Sequence, residues 1–175
     1  PEVQMVFVPP ATFWMGCNQG IDGGCGEGEL PYHKVDLSGY YIDRTEVTQG
    51  EYDQCVLAGK CSRPACGFNP ASTPDKPVVC VTWNQAGMYC SWAGKQLPTE
   101  AQWEHAARGT DGRVFPWGNE APTCELAVMS GCGTSIGKVC TRSPAGDSFH
   151  GLCDMAGNAW EWVNDWYGEQ YYATS

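Results

Sequence analysis

The chain has 175 residues, 42% of them hydrophobic, with eight Trp, eight Tyr and five Phe, which is material for a folded core and not the composition of a disordered polymer. Twenty acidic against ten basic side chains give a formal charge of −10, and with no basic run in the sequence a nucleic-acid partner is excluded as a class. No apolar run approaches the ~18 residues needed to cross a bilayer. The 22 glycines and 12 prolines spread along the chain argue against a helical bundle.

The chain opens PEVQMVFVPP without an initiating Met and reads as a mature or trimmed segment. VFVPPATFWMG predicts a strand, a turn at Pro9-Pro10, and a second strand from Ala11 to Met15. A Gly-rich acidic loop follows from Gly16 to Leu30, with Cys17 and Cys25 placed to pin it. HKVDLSGYYIDRTEV alternates apolar and polar residues and predicts one further strand.

Three helix starts then share one signature. Thr48-x-x-Glu51, Thr82-x-x-Gln85 and Thr99-x-x-Gln102 are capping boxes, in which the Thr hydroxyl accepts a backbone N–H and the Glu or Gln reaches back. Val47 and Val81 precede two of them, where a hydrophobic staple would sit. Gly59, Gly94 and Gly109 stand at stop positions. Helices are predicted at about 49–58, 83–93 and 100–108. The second carries the wide apolar face: Trp83, Ala86, Met88, Tyr89 and Trp92. RVFPWGNE reads as an ordered turn. The Gly/Ser/Thr-rich stretch from Cys124 to Cys153 holds four cysteines, and disulfides or a metal would pin it. The fold class read from pattern is α+β, with few helices and much irregular structure.

Eleven cysteines without a single C-x-x-C point to disulfides in an oxidising compartment and not to a zinc ribbon or a redox dithiol. Among Cys55, Cys61 and Cys66 a local disulfide is expected and not a nucleophile cluster, and the odd count leaves at least one cysteine without a partner in this chain. His105, Lys95 and Arg108 read as satisfied or ion-paired residues. No phosphate loop, dinucleotide fingerprint or nucleophile elbow occurs.

The most chemical short pattern is Asp154-x-x-Gly157-x-Ala159-x-Glu161. Calcium takes six to eight oxygens and mixes carboxylates with backbone carbonyls. Two carboxylates seven apart around a glycine could wrap one ion, although the spacing is not that of an EF-hand. Equally, Asp154 could cap a turn and Glu161 accept a nearby N–H; the residues alone leave both readings open. For Trp160, Trp162 and Trp166 the expectation is core, with a ligand groove as the alternative.

FVPPATFWMG, YYIDRTEVTQGEY, PVVCVTWNQAGMYCSWAGKQLPTEAQWEHAARG, FPWGNE and GLCDMAGNAWEWVNDWY, in that order, resemble the formylglycine-generating enzyme family, also called sulfatase-modifying factors. The likeness runs from about Val6 to Tyr167. It implies a single domain over residues 1–175, incomplete at its C-terminus, with that family's low-secondary-structure variant of the C-type-lectin fold. It implies calcium held by the side chains of Asp154 and Glu161 and the carbonyls of Gly157 and Ala159. A second family calcium site finds no clear match around Glu125. Catalytic members oxidise a sulfatase cysteine to formylglycine with oxygen and copper. They use a cysteine pair that follows an R-G-G-S-W-like block, which lies beyond Ser175, so no catalytic residue is carried over. The family partner of the cysteine at Cys90 lies there too, so the resemblance implies that Cys90 is a free thiol here or pairs with an unusual local partner, with Cys17–Cys25 and Cys55–Cys61 bridged. Copper is implied only if a further segment carries the pair.

Two functions are carried forward. The first is a calcium-stabilised, extracellular, cell-surface or periplasmic module, bacterial and without catalysis. It would bind a protein or surface ligand, or join a self-assembly or envelope complex, through a face near Trp160, Trp166, Tyr171 and Tyr172. The alternative is part of a copper-dependent oxidase that makes formylglycine.

Overall fold

A computed structural model describes residues 4–133, 136–168 and 172. Four strands come first: β1 (Met5–Val8), β2 (Ala11–Met15), β3 (His33–Leu37) and β4 (Tyr40–Asp43). β1 pairs antiparallel with β4, Val8 opposite Tyr40, and β2 pairs antiparallel with β3, Ala11 opposite Leu37. The register is the same on both sides, so the four strands form one ribbon with a break in its middle. Prolines 9 and 10 have no N–H to give the ladder and cause the break on one side. The single strand expected over HKVDLSGYYID is therefore two. Gly39 sits in the gap, where a Cβ would stand 2.9 Å from the Phe7 ring.

Helices α1 (Gln49–Leu57), α2 (Trp83–Trp92) and α3 (Glu100–Arg108) begin at the three capping boxes. The Thr48, Thr82 and Thr99 hydroxyls each accept the N–H three residues on at 3.2 Å. The Glu51, Gln85 and Gln102 side chains accept the cap N–H at 2.8, 2.8 and 2.9 Å. Each cap contributes on the order of 1 kcal/mol. Gly59, Gly94 and Gly109 follow the helices with φ of +67°, +73° and +65°, a backbone that glycine adopts without strain.

The helix expected to bury most buries least. In α2 only Tyr89 is buried, while Met88 and Trp92 stay exposed. α3 buries His105, Ala106 and Ala107. Its two alanines meet Val8, Leu152 and Met155 in a core that joins the ribbon to the chain on either side of Asp154. A second cluster gathers Tyr52, Cys55, Cys61 and Tyr89 between α1 and α2. A third places Phe13 and Met15 against Tyr172.

Disulfides pin the loops: Cys17–Cys25, Cys55–Cys61, Cys66–Cys80, Cys124–Cys132 and Cys140–Cys153. Cys90, on α2, carries none. Cross-links of this kind stabilise chiefly by restricting the unfolded chain, in a model-dependent amount of about 2–4 kcal/mol each. Among the described residues no helix is long and apolar enough to cross a membrane.

Candidate functional site

The turn Asp154–Glu161 is built by its own backbone. Asp154, Gly157 and Asn158 hold φ of +53°, +100° and +57°, which folds the main chain back on itself. Asn158 fixes the result, its N–H donating to the Val128 carbonyl at 2.8 Å and its Oδ1 accepting from Gly137 N at 2.9 Å. Gly157 lies so close to Val128 that a Cβ would stand 2.5 Å from the Val128 oxygen.

The four residues singled out in the sequence are brought together on this turn. Asp154 is buried, and its Oδ2 accepts from Cys140 N at 2.6 Å. Glu161 accepts from the Trp103 indole at 2.8 Å. Among the described residues no donor reaches the Gly157 or Ala159 carbonyl.

A third carboxylate joins them that sequence reasoning missed. Glu46 lies between β4 and α1. Its Oε1 accepts from Asn158 Nδ2 at 2.8 Å across 112 residues of sequence, and its Oε2 is buried without a partner. Nothing local could have disclosed it, because Glu46 reads as one more polar residue before a cap. Desolvation, then the charges of Asp154 and Glu161, pushes the Glu46 carboxyl up to about 8. Desolvation chiefly raises the Asp154 carboxyl as well. Glu161 is open to solvent along part of its length, but its carboxyl is enclosed by protein and is pushed up to about 7, first by desolvation. Asp154 and Glu161 raise the Glu46 carboxyl and Asp154 raises that of Glu161, so the three disfavour one another's ionised form.

Among the described residues no three His, Cys, Asp or Glu side chains form a metal-binding group by themselves. The donor set of Asp154, Glu161 and two carbonyls is mixed and all oxygen. That suits a hard ion such as calcium and lacks the nitrogen and sulfur donors that zinc and copper sites favour. The described residues fit the implied ion.

Beside the turn lies a cavity of about 370 Å³, largely apolar, bordered by Ile42, Glu46, Tyr89, Cys90, Met155 and Trp160. Lys95 and Asp43 pair at 2.6 Å on its wall. Burial, the largest influence, pushes the Cys90 thiol up, which disfavours the nucleophilic thiolate.

The tryptophans are not core. Trp160 is 102% exposed, Trp166 87% and Trp162 48%. They ride on a strap whose backbone and polar atoms are tied down. Trp83 donates to the Val163 carbonyl at 2.8 Å, Trp162 to the Val81 carbonyl at 3.0 Å, Asn164 N to the Pro98 carbonyl at 2.8 Å, and Glu100 N to Asp165 at 2.6 Å. The Trp162 indole N–H is used inward, while the Trp160 and Trp166 rings are left outside. Tyr172 departs from the expected face: it is buried against Phe13 and Met15 and donates to Glu100 at 2.9 Å. Tyr171 lies outside the described residues. Tyr167, next to Trp166 in the chain, is 84% exposed.

The sulfatase-modifying factor enzyme 1-like domain family matches residues 1–175. The chain belongs to this family. It is 32% identical to the bovine formylglycine-generating enzyme over 222 residues, 95% of this chain and 59% of that protein. It is 41% identical to the mouse inactive C-alpha-formylglycine-generating enzyme 2 over 221 residues, 93% of this chain and 69% of that one. PvdO from Pseudomonas aeruginosa superposes with a TM-score of 0.81 at 27% identity, covering 97% of this chain and 73% of that chain. The chain thus spans about three fifths of the bovine relative's length, and the fold is that of the formylglycine-generating enzyme type.

Proposed function

We propose that these 175 residues act as a calcium-stabilised binding or structural module of the sulfatase-modifying factor type, outside the cytoplasm and without formylglycine chemistry of their own. The observation that carries the reading is the thiol inventory. Ten of the eleven cysteines are spent in five disulfides, and the one left, Cys90, is half-buried with its thiol pushed up. A cysteine-pair oxidation needs two available thiols, and this chain offers one.

Calcium's part is structural. Asp154 and Glu161 would hold it with the Gly157 and Ala159 carbonyls, and the ion would supply the positive charge that three crowded carboxyls lack. This chain's own residues do the rest: Asn158 and Val128 set the turn, and Trp103 orients Glu161. The strap that follows then presents Trp160, Trp166 and Tyr167 to a protein or surface ligand. Five disulfides in one chain support an oxidising location.

The similarity to the bovine enzyme keeps the oxidase as the second reading, for a longer protein that brings its own cysteine pair. Two measurements on the purified chain test the proposal. Calcium titrated into metal-free protein should raise the melting temperature, by an amount equivalent to about 2.7 kcal/mol at a hundredfold excess over Kd. Incubation with copper, oxygen and a sulfatase-type cysteine peptide should leave the peptide mass unchanged. No calcium shift would remove the metal from the proposal, and aldehyde formation would reverse its catalytic half.

A further inference from the structure

Two of the three histidines meet inside the fold. His105 on α3 is 1% exposed, and His150, in the turn before Leu152, packs its ring on it edge to face at 5.5 Å. The Tyr40 hydroxyl donates to the Gln102 carbonyl at 2.6 Å, so its oxygen can accept from His105 Nδ1 at 3.3 Å. Phe13 closes the other side of His105 at 5.0 Å. His150 Nε2 is buried and has no hydrogen-bond partner among the described residues. Phe149 stands against His150 at 5.2 Å, with the Arg113 guanidinium over its far face.

The charges around this pair are of one sign. β4 contributes Tyr40 and β2 contributes Phe13, neither of which balances a cation. The loop after α3 contributes Arg113. Glu104, next to His105 in sequence, is turned away to Gly16 N and Arg108. Asp147, in the same loop as His150, is held by Arg44 at 3.3 Å and Ser143 at 2.7 Å. Among the described residues no carboxylate bonds to either ring. A proton on buried His105 would therefore sit beside another imidazole, and one on half-buried His150 beside that imidazole and near an arginine.

We propose that His105 and His150 form an acid-released latch, which closes the turn 148–152 on α3 while both rings are neutral and lets it open when the pair takes up protons. The turn is well placed for this role. Gly151 N donates to the Ser148 carbonyl and Ser148 N to the Leu152 carbonyl, both at 2.8 Å. The chain then runs directly into Cys153 and the Asp154 turn. Burial first, then the neighbouring His150, lowers the His105 imidazole below its ordinary value, and burial first, then Arg113, does the same to His150. The sign follows. Stability from these two groups is complete above about pH 6.5 and is lost as pH falls below it, because the opened state binds more protons.

Amide hydrogen exchange on the intact, disulfide-bonded chain reads the latch. The Gly151 and Leu152 amides should become at least tenfold more open at pH 5 than at pH 7 after correction for intrinsic exchange, since each proton taken up is worth up to about tenfold per pH unit. His150→Phe should reduce that dependence to the part carried by buried His105 while keeping protection at pH 7, because His150 Nε2 has no bond to lose among the described residues. Equal protection at both pH values in the wild type, or the same loss in His150→Phe, would overturn the latch. If His150→Phe does not fold, proton NMR of the wild-type rings decides. Midpoints below 6.5 for both His105 and His150 support the latch, and a midpoint at or above 6.5 for either one overturns it.

Discussion

Gly157→Ala tests the turn that holds the candidate calcium site, and Gly59→Ala is its matched control. Both positions have positive φ, +100° and +67°, so a Cβ strains the backbone by about 1–2 kcal/mol in either case. They differ in what the new methyl meets. Around Gly59 nothing lies within 4 Å. At Gly157 the methyl would stand 2.5 Å from the Val128 oxygen and 3.3 Å from its carbonyl carbon, and that oxygen is the acceptor for Asn158 N. Backbone cannot swing aside as a side chain can, so the turn must move and weaken that bond, for about 1 kcal/mol more plus the collision. The expected loss is about 1–2 kcal/mol for Gly59→Ala and roughly 3–4 kcal/mol for Gly157→Ala. At roughly 2–4 °C per kcal/mol for a chain of this size, the two should melt well apart. Differential scanning calorimetry in excess calcium and in chelator measures both. Gly157→Ala should also lose most of the calcium-induced rise, while Gly59→Ala keeps it. Equal melting temperatures for the two variants would refute the close approach of the turn to Val128, and with it the argument that the turn is shaped by that contact.

Leu152→Ala opens a hole in the core between α3 and the ribbon, where Leu152 is fully buried, and should cost about 3–5 kcal/mol in denaturant unfolding. Glu104, pushed up to about 7 chiefly by burial, gives the wild type stability that is complete below about pH 4.5 and is lost as pH rises through 7. Glu104→Gln should therefore lose less stability than the wild type between pH 5 and pH 8, measured by urea midpoints at each pH. Thiol titration of the unfolded chain without reductant should find one thiol, from Cys90, and eleven after reduction.

What the sequence discloses here is what neighbours along the chain decide. A capping box closes within four residues, and all three helices start where their Thr predicts. The break at Pro9-Pro10 is visible because proline lacks a donor, but the pairing of β1 with β4 across more than thirty residues is not. The ranking of the helices failed for a related reason. An apolar face says what could be buried, and only the rest of the fold says what covers it; α2 keeps Met88 and Trp92 outside, while the modest alanines of α3 receive Val8 and Leu152.

The same distinction separates the two halves of the candidate site. Asp154, Gly157, Ala159 and Glu161 fall within one turn, and their spacing alone raises the question of an ion. Glu46 enters from the segment between β4 and α1 and is tied to the turn through Asn158, which makes the site a clasp between two segments distant in sequence and not a self-contained loop. The exposed tryptophans follow from it. The Trp162 indole, the Trp83 indole reaching from α2 and the strap's own backbone fasten the strap beside α2 and α3, while the Trp160 and Trp166 rings stand outside. A strap anchored by its polar atoms holds apolar rings in fixed places at little further entropic cost when something binds, and that is the property a recognition surface needs.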